Sequence, residues 1–319
     1  MQWWRGALVY ELDVRSFGDS DGDGIGDLDG LRARLGYLEL LGVDVVWLVP
    51  TPIADRRSVD PLFGDLAAFD ALVDATLELR LKLVADLVRD GGRPMRHHRS
   101  DRLRLALDRT LHTTPFDADA VQDAVRHSLD SRAETAWSLA HHDVSRAVTR
   151  YGDGAVGLAR ARSMSLVVLA LPGTVHVYQG EELGLADGDL PSEARARVPL
   201  PWEGGPPGYG FTTGAPWLRA PAEFGEQTVA RQLEDTTSTL SLYRRAIELR
   251  RRHVSDPTAP VEWYGAPPGC LAFRPAGSAL VCALNTSDVA VPLPPGDVVL
   301  SSGACDADVL APDTAVWLA

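Results

Sequence analysis

Residues 7–17 read ALVYELDVRSF, a run of β-formers, and Leu31, Leu35, Leu38 and Leu41 then recur at helical spacing. The two together make a βα unit. Residues 44–50 (DVVWLVP) form a second, continuously apolar strand, as expected where both faces of a parallel sheet are covered. Leu66, Phe69, Leu72 and Val73 mark the next helix, and residues 79–88 (LRLKLVADLV) a third strand with Asp86 near its C-terminal end. This alternation predicts a parallel α/β barrel or a doubly wound sheet. Further strands are expected at 103–111, 136–140 and 174–179, with a helix capped by Asp117 and another over 157–171, which brings the strand candidates to six. A Pro-, Gly- and Trp-rich excursion over 190–221 precedes an amphipathic helix near 235–252 that carries Leu240, Tyr243 and Ile247 on one face. Short alternating segments separated by Gly and Pro follow Asp256-Pro257. They predict a small antiparallel β domain over 257–319 behind a first domain over 1–256.

A chain of 319 residues with 45% apolar residues can bury a large core, and a net charge of −13 disfavours nucleic-acid and anionic-membrane partners. Cys270, Cys282 and Cys305 are odd in number and lack metal-ligand spacing. A reducing, cytoplasmic setting is expected, with no signal peptide and no membrane-spanning run.

Between the first strand and its helix lies the segment DSDGDGIGD, residues 19–27, with carboxylates at every second position and Gly24 at the sharp turn. Asp19, Asp21, Asp23, Ile25 and Asp27 are the candidate positions for a structural Ca²⁺, with a metal-free Asp/Gly turn as the alternative. The bidentate Glu of an EF-hand is absent, its place being Gly30. Chemistry in a β/α barrel sits where strands end, and the strand at 136–140 runs into His141, His142 and Asp143. His97 and His98 lie in a polar, basic stretch over 89–102 (RDGGRPMRHHRSDR) with no further ligands nearby, which favours a solvated loop.

Residues 10–27 (YELDVRSFGDSDGDGIGD), 42–50, 60–64 (DPLFG), His142-Asp143, 178–184 (YQGEELG) and 197–202 (RVPLPW) together resemble the α-amylase family of glycoside hydrolases, nearest its α-glucosidase and oligo-1,6-glucosidase branch. The resemblance implies a (β/α) barrel, a calcium loop after the first strand, a C-terminal β-sandwich domain and sugar contacts from Tyr10, Arg146 and Arg197. It also marks departures. The motif ending the family's seventh strand is usually Asn-His-Asp, so His141 stands in place of the Asn. Asp13 stands where the family usually has an aromatic residue. Fourteen residues, 89–102, separate the third strand from the segment resembling the family's sixth, whereas a βαβ unit needs roughly 30. The fourth and fifth βα units, with the family's nucleophile, proton donor and inserted domain, do not fit there. The expected fold is therefore a reduced (β/α) barrel followed by an antiparallel β domain.

Retaining hydrolysis needs two carboxyls about 5–5.5 Å apart. Asp13, Asp86, Asp108, His141, His142 and Asp143 would form a substitute acid/base cluster if they met at one barrel mouth. The competing reading pairs the acids with Arg15, Arg109 or Arg146 as structural ion pairs, and gives Glu181 and Glu182 a structural role. Two functions follow, with α-glucoside hydrolysis by relocated carboxylates as a third reading that the missing pair disfavours. One is a degenerate α-glucosidase homologue that binds a sugar or serves as a scaffold; the other is a repurposed acid/base catalyst on a small molecule, of isomerase, cyclase or lyase type. Loss of two strands would also leave open sheet edges, which predicts a compact reduced barrel or a homodimer.

Overall fold

The computed structural model describes residues 3–49, 53–55, 58–88, 94–96, 107–131, 135–192, 194–305 and 308–319. Among the described residues six parallel strands carry the N-terminal part of the chain: β1 (Leu8–Asp13), β2 (Val45–Val49), β3 (Lys82–Val88), β4 (Leu107–Asp108), β5 (Ala136–Ser138) and β6 (Thr174–Tyr178). Their order in the sheet is β3-β2-β1-β6-β5-β4, with a short strand, Pro94–Arg96, antiparallel against β3. All six expected strands are present. The fold is that of a reduced (β/α) barrel, two parallel strands short of eight. Among the described residues β3 and β4 do not pair with each other.

Two expectations change in detail. Of the strand expected over 103–111, residues 103–106 lie outside the described residues, Leu107–Asp108 is in the sheet, and Thr110–His112 is a single 3₁₀ turn with the Asp108 carboxylate accepting the Thr110 N–H at 2.8 Å. Within the stretch read as a loop, Pro94–Arg96 lies in the sheet, where proline is tolerated because it occupies an edge. His97 and His98 fall outside the described residues.

The strands alternate strictly. Leu8, Tyr10 and Leu12 of β1, Val46 and Leu48 of β2, Trp137 of β5, and Val175 and Val177 of β6 face the helices in one large core. Val9, Val45, Val84 and Ala136 pack on the inward face with Trp4 and Trp47. The helices are α1 (Leu28–Ala33), α2 (Leu35–Leu41), α3 (Leu66–Glu78), α4 (Ala118–Ser131), α5 (Ala147–Arg150), α6 (Gly154–Ala170), α7 (Val229–Glu234) and α8 (Thr239–His253). Their starts follow from side-chain caps: Asp27, Asp65, Asp117 and Ser238 accept main-chain N–H groups of the first turns of α1, α3, α4 and α8. Arg250 of α8 is buried and donates to the Leu169, Leu171 and Gly173 carbonyls, where α6 ends and leaves acceptors unpaired.

The C-terminal sheet has strands β7 (Val261–Tyr264), β8 (Cys270–Pro275), β9 (Val281–Asn285), β10 (Val298–Ser301) and β11 (Thr314–Leu318), ordered β7-β8-β9-β11-β10 and all antiparallel. Alternation again sorts it: Leu271, Phe273, Cys282, Leu284 and Trp317 join the main core, while Cys270, Ala272, Ala283, Val316 and Leu318 pack with Val291 and Leu310 of a small two-stranded sheet. The Trp317 indole donates to the Leu166 carbonyl of α6 at 3.0 Å. The sheet is thereby tied to the barrel. Cys270 and Cys282 are buried thiols, and among the described residues no helix is long and apolar enough to cross a membrane.

Candidate functional site

The site lies where β1, β5 and β6 end. On β1 the two-residue period that turns Leu8, Tyr10 and Leu12 toward the helices turns Val9, Glu11 and Asp13 the other way. Glu11 is buried, and both imidazoles that follow β5 aim at the same oxygen of it: His142 Nδ1 stands 2.9 Å and His141 Nε2 3.4 Å from Oε1. The outward nitrogens face Asp143, His142 Nε2 at 3.2 Å from Oδ1 and His141 Nδ1 at 3.6 Å from Oδ2. The two rings lie 3.8 Å apart, centroid to centroid.

Asp13 is fully buried and held by two guanidinium groups, Arg15 Nη2 at 3.0 Å and Arg197 Nη1 at 3.1 Å, while its N–H donates to the Gln179 amide oxygen at 2.9 Å. The other arm of Arg197 reaches Asp143 Oδ1 at 3.1 Å. Arg197 is placed there by the 190–221 excursion, which docks through Leu200 N–H on the Ser16 carbonyl and the Trp202 indole on the Phe17 carbonyl. Trp202 stands edge-on to both Phe17 and Tyr37.

Burial sets the electrostatics. It lowers His141 to about 4, a fall that the charge of Glu11 partly opposes, so the ring is neutral at pH 7. His112 and His176 are lowered to about 4 by the same cause. Burial pushes Glu11 up, but its hydrogen bond with His142 and the charges of His141 and His142 outweigh this and hold it below the ordinary glutamate range. His112 Nε2 lies 3.2 Å from Ser138 Oγ, whose own proton goes to the Ala140 carbonyl, so Nε2 of His112 carries the hydrogen. Glu11, His142 and Asp143 form one hydrogen-bonded line from the buried face to solvent, an arrangement able to move a proton along it.

The predicted residues thus divide. Asp13, His141, His142, Asp143 and Arg197 come together. Asp108 is buried in its own turn, and Asp86 lies in β3 by its backbone while its side chain is outside the described residues. Tyr10, predicted as a sugar contact, faces the opposite side of β1, where its hydroxyl donates to Glu182 at 2.8 Å. Arg146, also predicted as a sugar contact, is buried and donates to the Gln179 and Ala196 carbonyls at 2.7 and 2.8 Å. Its arms are committed to holding the loop after β6. Glu181 and Glu182 accept the hydroxyls of Tyr243 and of Tyr10 and Tyr37, a structural use. Sequence reading missed Glu11, His112 and His176. Glu11 was detectable, since it sits two residues before Asp13 on the same strand and shares its face.

The 19–27 loop closes on itself as an oxygen-lined turn. Asp19, Asp21 and Asp27 bring ligand oxygens within 4.8 Å of one another, and Asp23 Oδ1 accepts the Ile25 N–H at 2.7 Å. Gly24 has φ +95°, and a Cβ there would meet the Ala215 carbonyl oxygen at 2.1 Å, so only glycine fits. Partial burial raises Asp19, but donation from the Thr212 hydroxyl and from the Gly22, Gly24 and Asp21 N–H groups brings it below the ordinary aspartate range. An all-carboxylate donor set of this kind fits a hard cation such as Ca²⁺.

Comparison with known proteins agrees with this fold. A probable alpha-glucosidase of Rhizobium meliloti (strain 1021) is 45% identical over 96 residues, 27% of this chain and 17% of that protein. A probable oligo-1,6-glucosidase 3 of Bacillus subtilis (strain 168) is 41% identical over 96 residues, again 17% of its length. The chain therefore matches well under a fifth of these relatives. Among solved structures, an alpha-glucosyl transfer enzyme superposes with a TM-score of 0.81 at 23% identity, covering 99% of both chains. The trehalose-6-phosphate hydrolase of Bacillus licheniformis superposes at 0.82 and 16%, also covering 99% of both. At these identities the structures speak for the fold. The alpha-amylase catalytic-domain model matches residues 12–91 and 95–256, and the chain accordingly belongs to the alpha-amylase family.

Proposed function

We propose that this α-glucosidase-like chain is a carbohydrate-binding or scaffold pseudoenzyme and not a standard retaining glycoside hydrolase. The observation that carries the reading is the state of the strand-end carboxylates. Asp13 is clamped between Arg15 and Arg197, Asp143 shares Arg197, and Glu11 is buried beneath two imidazoles. A retaining mechanism needs one free carboxylate nucleophile and one carboxylic acid flanking the scissile bond. Each of these three is instead engaged by guanidinium or imidazole partners. A sugar remains a fitting ligand, because Asp143 is half exposed at the mouth and offers the acceptor that a sugar hydroxyl takes.

Ca²⁺ in the 19–27 loop is part of the same proposal. Asp19, Asp21 and Asp27 would hold it, and its contribution would be to stiffen the connection between β1 and α1. The Glu11–His142–Asp143 line favours a second reading, a repurposed acid/base catalyst on a small molecule. Calorimetric titration with glucose and maltose tests the first reading. Saturable binding that Asp143→Asn weakens at least tenfold supports it, and absence of binding by the folded protein sends the assignment to the second.

A further inference from the structure

We propose that Glu11, His141 and His142 form a site for a first-row divalent transition metal, zinc foremost, whose two imidazole ligands are oriented by Asp143. One potential ligand atom from each of the three residues lies within 4.8 Å of the others. The Glu11 Oε1 separations of 2.9 Å to His142 Nδ1 and 3.4 Å to His141 Nε2 match those of atoms sharing one ion. Ligands about 2.0–2.2 Å from zinc stand roughly 3–3.5 Å apart.

The same separations also suit hydrogen bonds. A neutral imidazole has one N–H. On the inward side both rings face Glu11; on the outward side His142 Nε2 faces Asp143 Oδ1, while His141 Nδ1 accepts the Asp143 main-chain N–H at 3.4 Å. Without a cation, a neutral His142 therefore turns one lone pair toward a carboxylate. Making both rings imidazolium would place two like charges 3.8 Å apart. A divalent ion on the inward nitrogens removes both conflicts, since the inward lone pairs bind metal and the His142 Nε2–H donates to Asp143. That is the carboxylate–histidine–metal pattern by which outer partners orient metal-binding imidazoles.

His176 is an independent sign. It is buried on the inward face of β6, paired in register with Val9 and Ser138, and neither of its ring nitrogens has a hydrogen-bond partner. Glu11 and His141 are the groups whose charges act on it. A buried imidazole left without partners calls for an explanation. Two nitrogens and one carboxylate select zinc, iron or cobalt over calcium and magnesium, which separates this site from the all-oxygen 19–27 loop.

The test uses the full chain, stripped of metal and kept in excess Ca²⁺, titrated with Co²⁺ alone and read by visible absorption, with Zn²⁺ as competitor. One Co²⁺ per chain, displaced by Zn²⁺, is expected. Glu11→Gln and His141→Asn should each weaken it at least 100-fold, Asp143→Asn about 10–100-fold, and exposed His127→Ala not at all. Undiminished binding by the Glu11→Gln/His141→Asn double variant, or no binding by the folded wild-type chain at micromolar Co²⁺, overturns the proposal. If the variants fail to fold, X-ray absorption of the wild-type zinc form decides. Imidazole scattering from two histidines supports the site and an all-oxygen shell overturns it.

Discussion

Arg197 and Asp13 show how a residue's role is settled by its partners. Asp13 is fully buried with two guanidinium groups on it, so Asp13→Asn leaves two cations without their shared anion, at a cost of about 3 kcal/mol given that both arginines retain some solvent. Denaturant unfolding checks this, and a loss below about 1 kcal/mol would contradict it. Glu181 carries a pH prediction. Burial raises its carboxyl to about 7, with the Tyr243 hydrogen bond acting against the rise. The unfolded chain releases this proton near the ordinary glutamate value, so the stability is present below about pH 4.5. It is lost as pH rises from there through 7. Glu181→Gln keeps the acceptor for Tyr243 and should gain on the wild type by an order of 2–3 kcal/mol between pH 5 and 8; a pH-independent difference would rule this out. At this scale the sequence was partly legible. Asp13, His141, His142 and Asp143 could be placed at strand ends from pattern alone, but the Asp13 partner Arg197 comes from 184 positions away. Tyr10 was misplaced although alternation from Asp13 puts it on the opposite face of β1, and the same alternation marks Glu11.

Elements were the most legible scale, since each strand and helix declares its own period. The six parallel strands and the amphipathic α8 stand where alternation and helical spacing put them. What pattern could not supply was the end of each element. Leu103–Leu111 reads as one strand by composition, yet the Asp108 side chain competes for the main chain and begins a turn. The 19–27 loop yields an element-scale prediction: removing Ca²⁺ with a chelator should lower the melting temperature by several degrees, and Asp21→Asn should diminish that response. A melting temperature indifferent to both would reject a bound ion. The seam between α6 and the C-terminal sheet is tested by Trp317→Ala, which should cost about 3–5 kcal/mol because the indole is fully buried and holds the Leu166 carbonyl.

For the whole molecule, two features decide behaviour. One is the continuous core that runs from β1 through α6 into the C-terminal sheet. The other is the sheet, whose edges among the described residues are β4 and the short strand Pro94–Arg96. Unclosed edges invite pairing with a second copy, so light scattering is expected to give a dimer, and a monodisperse monomer would contradict that. The reduced barrel was foreseeable because 14 residues cannot hold two βα units, whereas how its edges end was not, because edge pairing is set by three-dimensional neighbours. The central claim is that this family fold has kept its strand-end site without the hydrolytic pair. The most direct measurement is hydrolysis of aryl α-glucosides and maltose by the wild type beside Asp143→Asn. No turnover by either is the predicted result; wild-type turnover that Asp143→Asn abolishes would mean that the remaining carboxylates have rebuilt a glycosidase and that the claim is wrong.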